Sequence, residues 1–390
     1  MTATLLAEAT LAGRVAQVGT EVAAACADEV DREARFPEET MRALKAAGAL
    51  GALVPKELGG EGATLGEVCT SVQELSRHCG ASGMILAMHH LQVACLARHA
   101  KSGHLRELLR SVAAYQLLLA SATSEIGIGG KLRQSACALE IADGRFTLEK
   151  QAPVVSYGAH ADAILVTARR SPDSPPGDQV LVACTPPGLT LEQVSEWRTL
   201  GLRGTCSPGF VVQASGPVDM VLDDAFADIA AITMLPYSHM LWSHVWLGIA
   251  SAAVGRAGAL VRHKARLDPA APPPSALRLA ELGVVYQQLE TLVQGVLARF
   301  DEAAGGRPAE SLGDAVSLNA LKVGAADLLV DVVTRALRIC GMDGYRDGTP
   351  YSLGRHLRDA HGAALMVGND RILGDNAQLL LVSKDGGSRP

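Results

Sequence analysis

The sequence predicts an α+β fold that is mostly α, with helices at both ends of the chain and strands confined to its middle. Three observations carry that expectation. Ala- and Leu-rich segments with apolar residues at helical spacing fill the chain up to about residue 118 and return from about 227. Between those limits the pattern changes to short apolar runs punctuated by Gly and Pro, which are strand signals. Of the 390 residues 48% are hydrophobic but only 4% aromatic, a composition that suits helices packed through small side chains.

Phe36-Pro37-Glu38-Glu39 starts a helix, with Pro at its first helical position. Met41, Leu44 and Ala47 continue its apolar face, and Gly48 is its expected stop. Val54-Pro55-Lys56-Glu57-Leu58-Gly59-Gly60-Glu61-Gly62 is a turn-rich break. Helical stretches follow around 65–79, 81–101 and 103–116. Three apolar runs then read as strands: 117–123, 161–168 and 179–183. Gly144, Pro172, Pro175-Pro176-Gly177 and Pro186-Pro187-Gly188 bound them. The longest apolar stretch, Leu241 to Leu260, contains His244 and Arg256 and reads as a buried helix, not a membrane span.

Net charge is −6 with both signs interspersed, and no basic block suggests a nucleic-acid surface. Met1 to Glu8 lacks the basic start of a signal peptide. Eight cysteines are scattered with no CxxC pair, so no metal site is expected. Such thiols suit a reducing cytoplasm.

Several motifs fall in a telling order. Phe36-Pro37 leads to Val54-Pro55 and Gly59-Gly60-Glu61-Gly62. Thr123-Ser124-Glu125-Ile126-Gly127-Ile128-Gly129-Gly130 is a strand end with a Gly-rich loop, where missing side chains let backbone N–H groups approach a flat ring or a phosphate. Leu200-Gly201-Leu202-Arg203-Gly204-Thr205-Cys206-Ser207, Cys340-Gly341-Met342-Asp343-Gly344-Tyr345 and Arg358-Asp359-Ala360 follow. Together they resemble the acyl-CoA dehydrogenase family over nearly the whole chain. The resemblance implies an N-terminal helical domain (1–118), a central β-barrel or sandwich domain (119–226) and a C-terminal four-helix bundle (227–390). It also implies FAD as cofactor, with FMN or a diffusible reduced flavin as alternatives. By the same resemblance Ser124, Gly127, Gly129, Gly130 and Ser156 would meet the flavin. Arg338, Gly341 and Gly344 would meet the cofactor of a partner subunit, making the protein a homodimer or homotetramer.

The departures cluster at the reactive centre. Val367 stands where the family carries its catalytic Glu, and valine cannot take a proton. A second position that holds the base in some relatives is Val245, beside Trp246 where Arg is frequent. Ala152, Val154, Lys131 and Met342 also differ from the pattern, and the Pro-rich segment 266–274 replaces an R-x-x-F-G motif.

Two residues are candidates for the missing chemistry. Asp370 lies three residues beyond Val367 and is either a base of raised pKa or a helix cap. His244 is either an acid/base group or a satisfied structural histidine. Three functions are therefore expected, in this order. The first is α,β-dehydrogenation of an acyl thioester, on CoA or a carrier protein, with an electron-transfer flavoprotein as acceptor. The second is a monooxygenase on the same scaffold, served by a flavin reductase. The third is a non-catalytic flavin-binding scaffold.

Overall fold

The computed structural model describes residues 10–128, 134–269, 273–301 and 309–382. Helices α1 (Leu11–Val18) and α2 (Ala24–Glu33) are joined by a π turn, Gly19–Ala23, and followed by α3 (Glu38–Ala46), α4 (Leu65–Ser76), α5 (Gly80–His99) and α6 (Gly103–Tyr115). Pro37 caps α3 instead of forming its first residue, and Gly48 ends it with φ +72°. Thr64 and Glu67 close a reciprocal capping box on α4. Helix α5 is buried almost all round, so it lies at the centre of the N-terminal half.

Seven strands follow: β1 (Leu119–Ala122), β2 (Glu140–Ala142), β3 (Arg145–Ala152), β4 (Ala163–Arg169), β5 (Gln179–Cys184), β6 (Leu189–Gln193) and β7 (Phe210–Pro217). They form two sheets, ordered β1-β4-β5 and β2-β3-β7-β6. β1 runs parallel to β4, and every other pairing is antiparallel. β4 and β5 are buried on both faces, which is why they read as unbroken apolar runs. β3 alternates, with Phe146, Leu148, Lys150 and Ala152 inward. Lys150 thus carries a charge into the interior.

The C-terminal helices are α7 (Phe226–Ile229), α8 (Leu235–Leu267), α9 (Ser275–Phe300), α10 (Leu312–Cys340), α11 (Met342–Tyr345), α12 (Gly354–Gly362) and α13 (Asn369–Val382). The first half of α8 is buried and packs on α4, α5 and α10. α5 and the run Phe226–Leu267 are long and apolar enough to cross a membrane, but most of each lies inside the protein.

Helix α12 ties these layers together. Arg358 makes a two-pronged ion pair with Asp31 of α2, Nη1 lying 2.8 Å from Oδ1, and also donates to the Leu200 carbonyl at 3.2 Å. Asp359 accepts the Leu202 N–H at 2.6 Å. Arg355 pairs with Asp28 at 3.1 Å. These arginines therefore bind the C-terminal helices to the N-terminal ones and do not pair within the bundle. A Cβ on Gly201 would collide with the Arg358 carbonyl, so this approach requires glycine.

Burial raises the Asp359 carboxyl to about 6, a shift that the Arg355 charge and the Leu202 N–H oppose but do not cancel. Its folded pKa lies above its ordinary 3.8, so across that window the folded state keeps a proton that the unfolded chain has released. Stability from this group falls as pH rises through the window, by up to about 3 kcal/mol. Urea unfolding of wild type and Asp359→Asn should therefore diverge between about pH 4 and 6 and run parallel above 7. Curves parallel throughout would show that the carboxyl is not perturbed.

Candidate functional site

The loop after β1 is stapled at its base by a buried ion pair. Glu125 accepts from Ser135 Oγ (2.6 Å), Cys137 N (2.7 Å), Ala136 N (3.1 Å) and Lys150 Nζ (3.3 Å). Lys150 also donates to the Thr167 carbonyl (2.7 Å) and hydroxyl (3.0 Å). Burial alone would raise the Glu125 carboxyl, but the Ser135 hydroxyl, the Lys150 charge and the backbone N–H groups hold it below its ordinary value. Glu125 and Lys150 thus tie the two ends of the Gly-rich loop together, a structural role.

Ser124 and Gly127 stand at the mouth of this loop. Ser124 Oγ donates to the Val154 carbonyl at 3.1 Å, which sets it against the segment that carries Ser156. Ser156 Oγ accepts from Ser207 Oγ at 3.0 Å, and Ser207 lies 2.9 Å from the Thr205 hydroxyl. Both Ser124 and Ser156 are half-buried. Gly127 has φ +91°, and a Cβ there would meet open space. Tyr157, Leu202 and Cys206 adopt left-handed backbone, a strain that bulky residues accept only where their surroundings impose it. Here the Tyr157 N–H bonds the Thr205 and Cys206 carbonyls, while Thr205 Oγ1 donates to Leu202 O. Asp359 then fixes Leu202 to α12. Half-buried hydroxyls beside an open glycine loop fit the polar edge of a flavin. Gly129, Gly130 and Lys131 lie outside the described residues.

The turn from α12 to α13 carries Val367, which is 37% exposed and has φ +48°, an outlier for a β-branched residue. Its carbonyl faces Lys322 Nζ at 3.4 Å, and Lys322 also donates to Asn369 Oδ1 at 2.7 Å. The Lys322 ammonium stands 5.9 Å from the Trp246 ring centre. Lys322 is fully buried, and burial lowers its pKa to about 8. The sequence reading missed it. The signal was a lysine inside the apolar stripe Leu318, Lys322, Ala325, Leu329 of α10.

Asp370 is exposed in the first turn of α13, one residue inside the helix and not at its cap. There the helix dipole favours its negative charge. His244 is buried, and its Nδ1–H donates to the Met240 carbonyl at 2.8 Å. Burial lowers it to about 4, so it is neutral near pH 7. Two residues before Trp246, it points about 160° away around α8 from the Lys322 contact. Among the described residues no hydrogen bond or ion pair joins His244 to Asp370 or to Val367. Val245 is fully buried.

Arg338 is exposed in the last turn of α10 and lines a cleft of about 400 Å³ with Arg278, Glu281, Arg335 and Ile339. Gly341 ends α10 with φ +58° and has open space where a Cβ would sit. Gly344 is different: a Cβ there would strike Cys340, so it serves packing. All eight cysteines are free, and Cys206 is raised by burial, which makes it a poor nucleophile.

With helices flanking two central sheets, and half-buried hydroxyls beside the Gly127 turn, the architecture is that of a flavoprotein of the acyl-CoA dehydrogenase class. The family models for the acyl-CoA dehydrogenase N-terminal domain and C-terminal domain match residues 7–116 and 229–378, and the chain belongs to that family. It is 24% identical over 352 residues to the probable acyl-CoA dehydrogenase FadE25 of Mycobacterium tuberculosis, covering 89% of this chain and 88% of that one. It is 28% identical over 357 residues to the amino sugar nitrososynthase DnmZ of Streptomyces peucetius, covering 86% and 84%. FMN-bound TdsC from Paenibacillus sp. A11-2, a dibenzothiophene monooxygenase, superposes with TM-score 0.83 at 20% identity, covering 96% of this chain and 99% of that one. The family and these neighbours are flavoproteins using FAD or FMN.

Removing one partner of the Glu125–Lys150 pair leaves a buried charge alone. Glu125→Ala should lose about 3–5 kcal/mol in urea unfolding. Glu125→Leu combined with Lys150→Met should recover only part of it, because no lone charge remains but the Ala136 and Cys137 N–H groups still lose their acceptor. A single variant as stable as wild type would contradict the staple.

Proposed function

We propose that the chain is a flavin-dependent monooxygenase that takes reduced flavin from a separate reductase. The carrying observation is that Val367 and Val245, which stand at the family's base positions, are aliphatic, and that among the described residues neither Asp370 nor His244 takes their place. Asp370 is exposed and one turn away, and His244 is held on the other side of α8. α-Proton abstraction needs a base whose pKa lies near the working pH, and a histidine lowered to about 4 is a weak one. The likeness to DnmZ and TdsC supports the oxygenase reading.

When bound, reduced flavin supplies the two electrons that turn dioxygen into one oxygen atom on the substrate and one water. This chain's residues would do the rest. Ser124 and Ser156 would hold the polar edge of the ring, and Gly127 would keep the loop backbone accessible. Arg338 would meet the phosphate end of a partner subunit's cofactor, which implies a homodimer or homotetramer. Val245 and Trp246, both fully buried, would keep the interior beside the site apolar. Eight free thiols suit the cytoplasm as its location.

α,β-Dehydrogenation of an acyl thioester is the second reading, supported by the likeness to FadE25. It requires Asp370 or His244 to reach the substrate after a rearrangement.

The test is oxygen uptake by the protein with FMN or FAD and an NADH-driven flavin reductase. The substrates are nucleotide-linked amino sugars, aromatic heterocycles and aromatic carboxylic acids, under ¹⁸O₂. One class should give uptake above the reductase background and a product carrying ¹⁸O. Background uptake with every substrate, and no label in any product, would overturn the proposal.

A further inference from the structure

The interior between α8 and α10 holds two indole donors and one imidazole acceptor that have no hydrogen-bond partner among the described residues. His239, Trp242 and Trp246 lie on one stripe of α8, at spacings of three and four. All three are more than nine-tenths buried. The indole N–H groups of Trp242 and Trp246 have no acceptor among the described residues. Buried indoles normally find one. His239 donates through Nδ1 to the Leu318 carbonyl at 3.2 Å, which leaves Nε2 without a partner. Its ring lies 6.3 Å from that of Trp242.

Facing this stripe from α10 is Lys322, one turn beyond Leu318. Its charge also acts on His239, so the two lie within electrostatic reach. Two of its three N–H donors are spoken for, by neutral acceptors: Asn369 Oδ1 and, at a longer distance, Val367 O. Among the described residues no carboxylate forms an ion pair with it. Asp327 attracts the ammonium from beyond ion-pair distance and is itself bonded by Asn369, whose Nδ2 donates to Asp327 Oδ1 at 3.3 Å. A buried cation with no carboxylate in direct contact is costly, and an anion beside it would lower that cost. The same lysine touches the turn of Val367 and the ring of Trp246. Both are positions at which this chain departs from its family.

We propose that Lys322, with the indole N–H groups of Trp242 and Trp246, binds a carboxylate of the substrate, so that the substrate class is an organic acid and not a plain hydrocarbon chain. The site offers one charge and two neutral donors from facing helices. A carboxylate presents two oxygens that accept from such a set. Val245, next to Trp246 in the chain, and Leu318, whose carbonyl meets His239, are buried and apolar, so the proposal gives the acid an apolar body. The inference rests on the oxygenase reading only in calling the ligand a substrate.

Binding is therefore measured without turnover, on the oxidised flavin-loaded protein under anaerobic conditions. The probes are benzoate and its neutral counterpart benzamide. The chain has three tryptophans, and two of them belong to the site, so intrinsic fluorescence reports occupancy. Benzoate should bind at least tenfold tighter than benzamide. Lys322→Met should bring the two probes to equal affinity, and Trp246→Phe should weaken benzoate severalfold. A thermal melt of each variant separates lost binding from lost fold. Equal affinity of both probes in wild type, or a benzoate preference that survives in folded Lys322→Met, would overturn the proposal. Failure of the oxygen-uptake assay leaves this titration untouched, so the two readings fail separately.

Discussion

Arg358 and Asp359 occupy adjacent positions on one short helix and hold three parts of the molecule at once. Arg358 grips Asp31 near the end of α2 with two N–H groups and reaches the Leu200 carbonyl. Asp359 takes the Leu202 N–H. The strained segment Leu202–Cys206 is thereby pressed between α12 and the Val155–Tyr157 turn, and this places Ser207 against Ser156. Gly201 is the cost of that approach, since no side chain fits there. This clamp is one of the ties, with Arg203 to the Asp31 carbonyl and Arg355 to Asp28, that fix the hydroxyl cluster and the C-terminal helices against the N-terminal ones.

The clamp also explains how the scaffold outlasts the loss of its usual base. Val367 lies five residues past α12, in a turn whose position depends on Arg358, Asp359 and Lys322 and not on its own side chain. The architecture that would aim a carboxylate is intact, and an aliphatic side chain stands in its place. The change is local in chemistry and neutral in fold. Meanwhile α8 brings Trp242 and Trp246 to the same region, and Lys322 adds a charge. A wall that loses an acid and gains donors favours different substrates.

Much of the fold was legible because burial on every side leaves an unbroken apolar run. That is how β1, β4 and β5 could be read, and how α8 was told from a membrane span by His244 and Arg256. β3 escaped for the opposite reason. Its outward residues Arg145, Thr147, Glu149 and Gln151 hide the inward Phe146, Leu148 and Ala152 from a search for apolar runs. The ordered motifs pointed to Ser124 and Ser156, which the fold sets on neighbouring segments through the Ser124–Val154 and Ser207–Ser156 hydrogen bonds. Side-chain reach was not legible. Arg355 and Arg358 pair with Asp28 and Asp31, more than 300 residues away in the chain, and Lys322 looks like a surface residue until α10 is packed.

The central claim is that this chain holds a flavin without the means to remove the α-proton of a thioester. The direct measurement is anaerobic titration of the flavin-loaded protein with acyl-CoA and acyl-carrier thioesters of graded length, followed by flavin absorbance. The account predicts an unchanged oxidised spectrum with every thioester, and full bleaching by dithionite in the same cuvette. Bleaching by any one thioester would contradict it and would mean that Asp370, His244 or another group reaches the substrate as a base.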